Sequence, residues 1–153
     1  MKSSKSEFLE KNDGVCAVVI YKKRVLLIRR HWLPIIRNPN IWSFVFGTKE
    51  KGETHLSTVY RELEEETGLG RKNVKLISKP IVVKLFDNKK RSVWWNNHLY
   101  IFKSNSDKVK LDIENTGFRW ANFSEIKSSN NYTNIFVDKE RIERLIERAL
   151  HGE

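Results

Sequence analysis

Four glutamates fall within the five residues from Glu62 to Glu66 of a chain that is otherwise basic. On a helix, Glu62, Glu65 and Glu66 would share one face, because residues three and four positions apart have Cβ atoms about 5–6 Å apart. Their charges repel each other. They would also lie near the negative end of the helix dipole, since Gly68 is suited to end the helix. A bound divalent cation is the simplest compensation for three converging carboxylates, and the spacing therefore predicts a metal site.

The elements around the glutamates are readable from the local sequence. Residues 47–53 contain two glycines and predict a loop. Thr54 is a suitable N-cap for a helix that runs to about Thr67. The helix should bury one face, because apolar residues recur at helical spacing. They are Leu56, Val59, Tyr60 and Leu63.

The rest of the chain predicts a sheet with one further long helix. Apolar runs rich in β-branched and aromatic residues predict strands. These runs are residues 15–21, 25–28, 41–46, 74–86, 92–102 and 117–121. Residues 29–40 hold two prolines and predict a loop about a dozen residues long. Residues 137–150 predict an amphipathic helix, whose most economical role is packing.

Length and charge limit the function classes. The 153 residues fit one domain, which we place at residues 13–153, after a loosely held N-terminal arm of residues 1–12. The net charge of +10 favours anionic partners such as nucleotides or nucleic acid. No run approaches the roughly 20 apolar residues that span a bilayer, and the single cysteine, Cys16, lies in an apolar run. We therefore expect a cytoplasmic protein and no membrane partner.

The glutamate region resembles the signature of the Nudix hydrolases, GX5EX7REUXEEXGU, where U is aliphatic. Gly47, Glu53, Arg61-Glu62-Leu63, Glu65-Glu66 and Gly68-Leu69 match every specified position. The resemblance implies an α/β fold, an α/β/α sandwich with a mixed β-sheet between helices. It also implies hydrolysis of a nucleoside diphosphate linked to another moiety, with Mg²⁺ or Mn²⁺ as cofactor. Such hydrolysis needs charge neutralised on phosphate oxygens and an activated water, which hard cations held by carboxylates provide.

The resemblance also implies roles for individual residues. Glu62, Glu65 and Glu66 would be metal ligands, together with the carbonyl of Phe46. Glu53 would be a nearby acidic or water-mediated contact. Arg61 would orient a neighbouring glutamate. The predicted catalytic set consists of Glu62, Glu65, Glu53 and Arg61, together with Glu114.

Two further glutamates need separate treatment. Glu64 lies between the motif positions and should face solvent. Glu114, six residues before Trp120, is similar in placement to a late carboxylate that many relatives supply as ligand or general base. The general base is therefore either Glu114 or a glutamate of the motif, and an ordinary loop carboxylate is the alternative for Glu114.

Substrate recognition is less well specified. Trp32 in the basic loop and one of Trp94 and Trp95 are candidates for stacking on a base, because neighbouring strand residues face opposite ways. Arg29, Arg30 and Arg37 are candidates for phosphate binding, with a solubilising basic surface as the alternative. Trp42 and Trp120 are expected in the core, and His98 in a core or surface role without chemistry.

Three functions compete at this point. The first is hydrolysis of a small nucleotide, either a nucleoside triphosphate, a dinucleoside polyphosphate or a nucleotide sugar. The second is removal of pyrophosphate from an RNA 5′ end, which the positive charge would suit. The third is a non-catalytic phosphate- or RNA-binding module, which the intact set of repelling glutamates disfavours. A homodimer is compatible with each.

Overall fold

A computed structural model describes residues 13–30, 41–86, 94–113, 115–128 and 139–152. It contains eight strands and three helices in these ranges. The strands are β1 (Asp13–Tyr21), β2 (Arg24–Arg30), β3 (Ile41–Ser43), β4 (Val45–Thr48), β5 (Val74–Leu76), β6 (Ile81–Phe86), β7 (Trp94–Ser104) and β8 (Asn115–Ala121). The helices are α1 (His55–Thr67), α2 (Phe123–Ser128) and α3 (Lys139–His151). The predicted arm, residues 1–12, lies outside the described residues.

Strand β1 is the centre of one mixed sheet. It pairs in parallel with β7, from Asp13 opposite Asn96 to Ile20 opposite Lys103. On its other side it pairs antiparallel with β4 and then with the start of β2. Strand β2 continues to β3 and β8, and β7 continues to β5 and β6. Both edges of β1 are therefore paired, and the residues between its two ends are buried on both faces of the sheet.

The alternation of side chains along β1 divides the core into two layers. Val15, Ala17 and Val19 point to the face where Val59 and Leu63 of α1 pack. The residues between them point to the opposite face, and they are Cys16, Val18 and Ile20. On that opposite face they pack in one cluster with buried residues of α3, which are Ile142, Ile146 and Leu150. All these side chains are at most 6% exposed. Because successive strand residues face opposite sides, one apolar run supports a helix on each face. The predicted α/β/α sandwich with a mixed sheet is confirmed.

Several boundaries differ from the sequence-based predictions. The expected strand 41–46 is two strands interrupted at the fully buried Phe44. The run 74–86 is divided into β5 and β6 at residues 77–80, where Pro80 cannot donate a ladder hydrogen bond. Leu56 is 38% exposed, so its predicted burial was wrong, while Val59 and Leu63 are fully buried. Trp42 and Trp120 are only half-buried and pack at the margins of the two layers.

The β1–β2 turn has a backbone conformation that the sequence did not predict. Lys22 and Lys23 have φ values of 46° and 63°. Two consecutive positive φ angles are typical of the type I′ turn, whose twist matches that of a two-residue hairpin. This turn usually carries Asn-Gly, because lysine has a Cβ that disfavours the conformation. The packing of β1 and β2 therefore outweighs the local preference of this pair.

Among the helices in the described ranges, none combines the length and apolar character that crossing a membrane requires.

Candidate active site

Helix α1 begins and ends at residues suited to those positions. The Thr54 hydroxyl accepts a hydrogen bond from the Ser57 N–H at 3.0 Å, and the Ser57 hydroxyl accepts one from the Thr54 N–H at 3.0 Å. This reciprocal capping box satisfies two donors that the helix leaves open. At the other end Gly68 has a φ of 75°, and its N–H donates to the Glu64 carbonyl at 3.0 Å. The capping fixes the length of α1 and so the positions of its glutamates.

Gly47 lies directly beside the Glu62 side chain. A Cβ at position 47 would be 2.1 Å from Glu62 Cγ and 2.5 Å from Cδ. Only a residue without a side chain leaves room for Glu62 here. The same close packing continues into the sheet, since a Cβ on Gly14 would lie 2.7 Å from the Gly47 carbonyl oxygen. Two glycines thus let the glutamate, the loop and β1 lie in contact.

Arg61 holds three carboxylates together. Its Nε and NH2 bind the two oxygens of Glu53 at 2.7 and 2.9 Å, in a bidentate pair. Its NH1 donates to Glu62 at 2.8 Å and to Glu65 at 3.2 Å. NH2 also donates to the Thr48 carbonyl at 3.3 Å, which links the helix to the end of β4. A planar guanidinium with five donors can make this set of bonds, whereas a lysine cannot.

The protonation of Glu53 reflects these contacts. Its hydrogen bonds from Arg61 are the main cause that lowers its pKa to about 2, followed by the Glu50 N–H, with a smaller contribution from the Thr58 hydroxyl. The bond to Glu53 likewise raises the pKa of Arg61. Both groups are therefore charged at every physiological pH. Glu53 is an anion that anchors the arginine, and the arginine in turn orients Glu62 and Glu65.

The glutamates of α1 differ in burial. The side chain of Glu65 is 56% exposed and that of Glu62 is 16% exposed. Glu66 is only 4% exposed, and a carboxylate at that depth requires compensation by donors or cations. Glu64 is exposed, as predicted, and its carboxylate lies above Gly70.

The donor set suits a hard divalent cation. Glu62, Glu65 and Glu66 offer oxygen ligands only, which Mg²⁺ and Mn²⁺ prefer. In the structure Glu62 and Glu65 are drawn to Arg61, so the guanidinium supplies the positive charge between them. The role of Glu62, Glu65 and Glu66 as ligands of one cation stays a prediction.

The structure describes the positions of Phe46 and Arg29, whereas their predicted roles stay predictions. Phe46 is 7% exposed and pairs with Cys16 in the β4–β1 ladder. Its φ is not positive, because Lys22 and Lys23 are the residues other than glycine that have positive φ in the described ranges. The carbonyl of Phe46 therefore precedes Gly47 on an ordinary backbone. Arg29 is half-buried on β2, opposite Trp42 and Gly117.

The remaining candidates lie beyond what the structure describes. Glu114, Trp32 and Arg37 are outside the described residues. For Arg30, Trp94 and Trp95 only the backbone is described, at the end of β2 and the start of β7. Their proposed contacts with a base or a phosphate stay predictions.

The structure adds a groove that the sequence did not reveal. It has a volume of about 720 Å³ and adjoins Glu65 and Arg61. Its lining also includes Tyr60 and Arg71, whose guanidinium carbon lies 3.9 Å from the centre of the Tyr60 ring. Tyr60 packs against the core, as its helical spacing predicted, but it is only half-buried and also lines this groove. Periodicity could not detect this groove, because Arg71 follows the helix in the next loop.

A second cluster was also missed. Within the described parts of the chain, the side chains whose ligand atoms converge to within 4.8 Å of one another are Asp13, His55 and His98. His98 was expected in a core or surface role without chemistry, and its ring is stacked on that of His55. No local motif could have indicated this cluster, since Asp13 and His55 alone are 42 residues apart.

Comparisons with known proteins agree with the fold. The family model of the NUDIX domain matches residues 10–144. An RNA pyrophosphohydrolase of Pelagibacter ubique (strain HTCC1062) is 40% identical over 65 residues, which cover 42% of this chain and 38% of the relative. One of Edwardsiella ictaluri (strain 93-146) is 30% identical over 99 residues, covering 55% of this chain and 56% of the relative. The alignments thus span about half or less of the curated relatives.

A solved structure extends the likeness over the whole fold. The C. elegans Ap4A hydrolase, solved as a binary complex, superposes with a TM-score of 0.72 at 16% sequence identity. The superposition covers 92% of this chain and 98% of that chain. At this identity the likeness is one of fold alone.

Proposed function

This chain belongs to the Nudix family, and we propose that it is a pyrophosphohydrolase that cleaves the phosphoanhydride bond of a nucleoside diphosphate linked to another moiety. One observation carries the proposal. Arg61 binds Glu53, Glu62 and Glu65 at 2.7–3.2 Å, and Gly47 leaves room for Glu62 beside the loop. A merely solvated acidic face would need neither the arginine at its centre nor the glycine beside it.

In this proposal some residues of the site bind the metal and others position the residues that bind it. Glu62, Glu65 and Glu66 would hold Mg²⁺ or Mn²⁺, which neutralises phosphate oxygens and lowers the pKa of a bound water. Glu53 and Arg61 are positioning residues, because their bidentate pair fixes the guanidinium that orients Glu62 and Glu65. Glu65 is exposed and accessible to water and to substrate, whereas Glu66 is buried.

The groove beside Glu65 is the proposed place for the rest of the substrate. Arg71 and Arg61 bring positive charge to its wall, and the Tyr60 ring supplies an apolar surface. Such a wall suits a nucleotide, which combines phosphates with an aromatic base. Contacts of the substrate with Trp32, Arg37, Trp94 and Trp95 stay predictions.

The test is turnover by the purified, unaltered protein. It would be incubated with Mg²⁺ or Mn²⁺ and separately with a nucleoside triphosphate, a dinucleoside polyphosphate and a nucleotide sugar. We expect release of a nucleoside monophosphate from at least one of them, abolished by a chelator and restored by excess metal. Absence of turnover of every nucleotide and of RNA would overturn the proposal and favour a non-catalytic binder.

A second candidate is a pyrophosphohydrolase acting on RNA 5′ ends. Two relatives carry this name, and the net charge of +10 suits a polyanion. Triphosphorylated RNA would then yield 5′-monophosphorylated RNA, and the same RNA with a 5′ monophosphate is the matched control. Binding should weaken with salt, with a slope of about −0.7 per phosphate contacted on a single strand. Salt-insensitive binding and no 5′-end conversion would exclude it.

The remaining assignments stay predictions: a single domain over residues 13–153, a cytoplasmic location, and a monomer or a homodimer. Size-exclusion chromatography with light scattering decides between the last two.

A further inference from the structure

Three side chains from distant parts of the chain meet at the first turn of α1. Asp13 begins β1, His55 is the first residue of α1 and His98 lies in β7. Nε2 of His55 is 2.8 Å from Oδ1 of Asp13. The two imidazole rings are stacked with centroids 3.5 Å apart and planes 10° from parallel. One ligand atom from each residue lies within 4.8 Å of the other two.

The environment of the three residues keeps the rings available as ligands. The side chains of His55 and Asp13 are 25% and 36% exposed, so they are partly shielded from water and still reachable. Each neutral imidazole keeps one nitrogen lone pair that a metal can bind.

The donor set differs from that of the glutamates. Two imidazole nitrogens and one carboxylate oxygen suit Zn²⁺ and related first-row metals, while Mg²⁺ prefers oxygen ligands alone. We propose that Asp13, His55 and His98 form a second metal site, selective for a divalent transition metal, with Zn²⁺ as the ion to test. The site is separate from the predicted metal ligands on α1, because the first of them, Glu62, lies seven residues along the helix from His55, a rise of about 10 Å.

Binding the ion requires one imidazole ring to rotate out of the stack. The lone pair of an imidazole nitrogen lies in the ring plane, so two nearly parallel rings cannot both point at one ion. Ligands about 2.0–2.1 Å from a tetrahedral zinc are about 3.3 Å from each other, against a separation of at most 4.8 Å in the structure. Rotation of one ring, together with a movement of the ligand atoms by about 1 Å, would close this difference. The fourth coordination position of the ion would be open to water or to another ligand. Binding through Nε2 of His55 would need the neutral tautomer whose proton is on Nδ1.

Such a site would connect the start of α1 to the sheet. Asp13 and His98 belong to paired strands, β1 and β7, and His55 belongs to the helix that carries the glutamates. An ion that binds this folded arrangement and not the unfolded chain stabilises it. At a hundredfold excess of ion over its dissociation constant, the melting temperature should rise by about 5–10 °C for a domain of this size.

The binding experiment uses Zn²⁺ alone and a variant that removes competing ligands. In a protein carrying Glu62→Gln and Glu65→Gln, calorimetric titration should show one Zn²⁺ per chain. Co²⁺ should give the visible absorption of a metal bound by nitrogen. Adding His98→Ala should weaken Zn²⁺ binding at least about tenfold, since outer-shell changes alone cost 10–100-fold and this one removes a ligand. The matched control is His151→Ala, at the exposed end of α3, which should change nothing.

A second measurement needs no substitution. The chain has four histidines, and in ¹⁵N spectra of the unaltered protein Zn²⁺ should shift the imidazoles of His55 and His98 and leave His31 and His151 in place. Zinc binding that survives His98→Ala, or shifts confined to His31 and His151, would overturn the proposal. Neither measurement depends on catalysis, so the site stands or falls separately from the hydrolase activity.

Discussion

Gly47→Ala should abolish most activity through Glu62 without disturbing the fold. The added Cβ would lie 2.1 Å from Glu62 Cγ, whereas non-bonded carbons prefer about 3.5–4.0 Å, so Glu62 must retreat by roughly 1.5 Å. A misplacement of about 1 Å can cost on the order of a hundredfold in rate, which equals about 2.7 kcal/mol of transition-state stabilisation. Overpacking should lower the free energy of unfolding by only about 1–3 kcal/mol.

The assay compares kcat/KM and denaturation midpoints with those of Gly117→Ala. At Gly117 a Cβ would meet Trp42 at 3.7 Å, an ordinary contact on β8 away from the glutamates. We expect kcat/KM of Gly47→Ala to fall at least about a hundredfold and that of Gly117→Ala to stay within about threefold. A Gly47→Ala protein as active as the unaltered one would refute the link between this contact and catalysis.

Three further predictions concern the same helix and the β1–β2 turn. Glu65→Gln should reduce kcat at least about a hundredfold, because it removes a predicted metal ligand. The melting temperature should stay within about 2 °C, because the Glu65 side chain is 56% exposed. Glu64→Gln is the matched control, and equal losses of kcat in both variants would contradict the assignment of Glu65 as a metal ligand. In chelator, the stability supplied by the Glu53–Arg61 pair should be complete above the ordinary glutamate pKa of 4.5 and decline as the pH falls toward the folded-state pKa of about 2. Glu53→Gln should therefore flatten the dependence of unfolding free energy on pH between 5 and 2, and an unchanged slope would count against the pair. Replacing Lys22 and Lys23 by Asn-Gly should stabilise the protein by about 1 kcal/mol, read as a higher urea midpoint at constant slope, since both lysines have positive φ.

What could be predicted from the sequence depended on local spacing. The helix was located by its N-cap Thr54 and its terminal Gly68, and both act as caps in the structure. The two-layer core followed from one apolar run, because alternation on a strand needs no distant information. The metal ligands predicted on α1 are i, i+3 and i+4 neighbours, so their position on one face of the helix could also be predicted from local spacing. Their roles in catalysis stay predictions.

What could not be predicted depends on contacts between remote residues. Asp13, His55 and His98 meet only because β1 pairs with β7 and α1 starts beside that pair. Leu56 was assigned to the core from helical periodicity, but it lies at the edge of the apolar stripe and is 38% exposed. The turn at residues 22–23 has no glycine, and its backbone is determined by the strands it joins.

The parallel pairing of β1 with β7 has a consequence for the order of events during synthesis. Asp13 lies opposite Asn96, so the contact closes a loop of roughly 80 residues, and such long-range parallel contacts form slowly. At a translation rate of about 5–20 residues per second, α1 emerges roughly 2–7 s before β7 is complete. During that interval the glutamate helix has only the early strands to pack against. A site whose carboxylates are neighbours in sequence thus becomes rigid only when a strand from much later in the chain arrives.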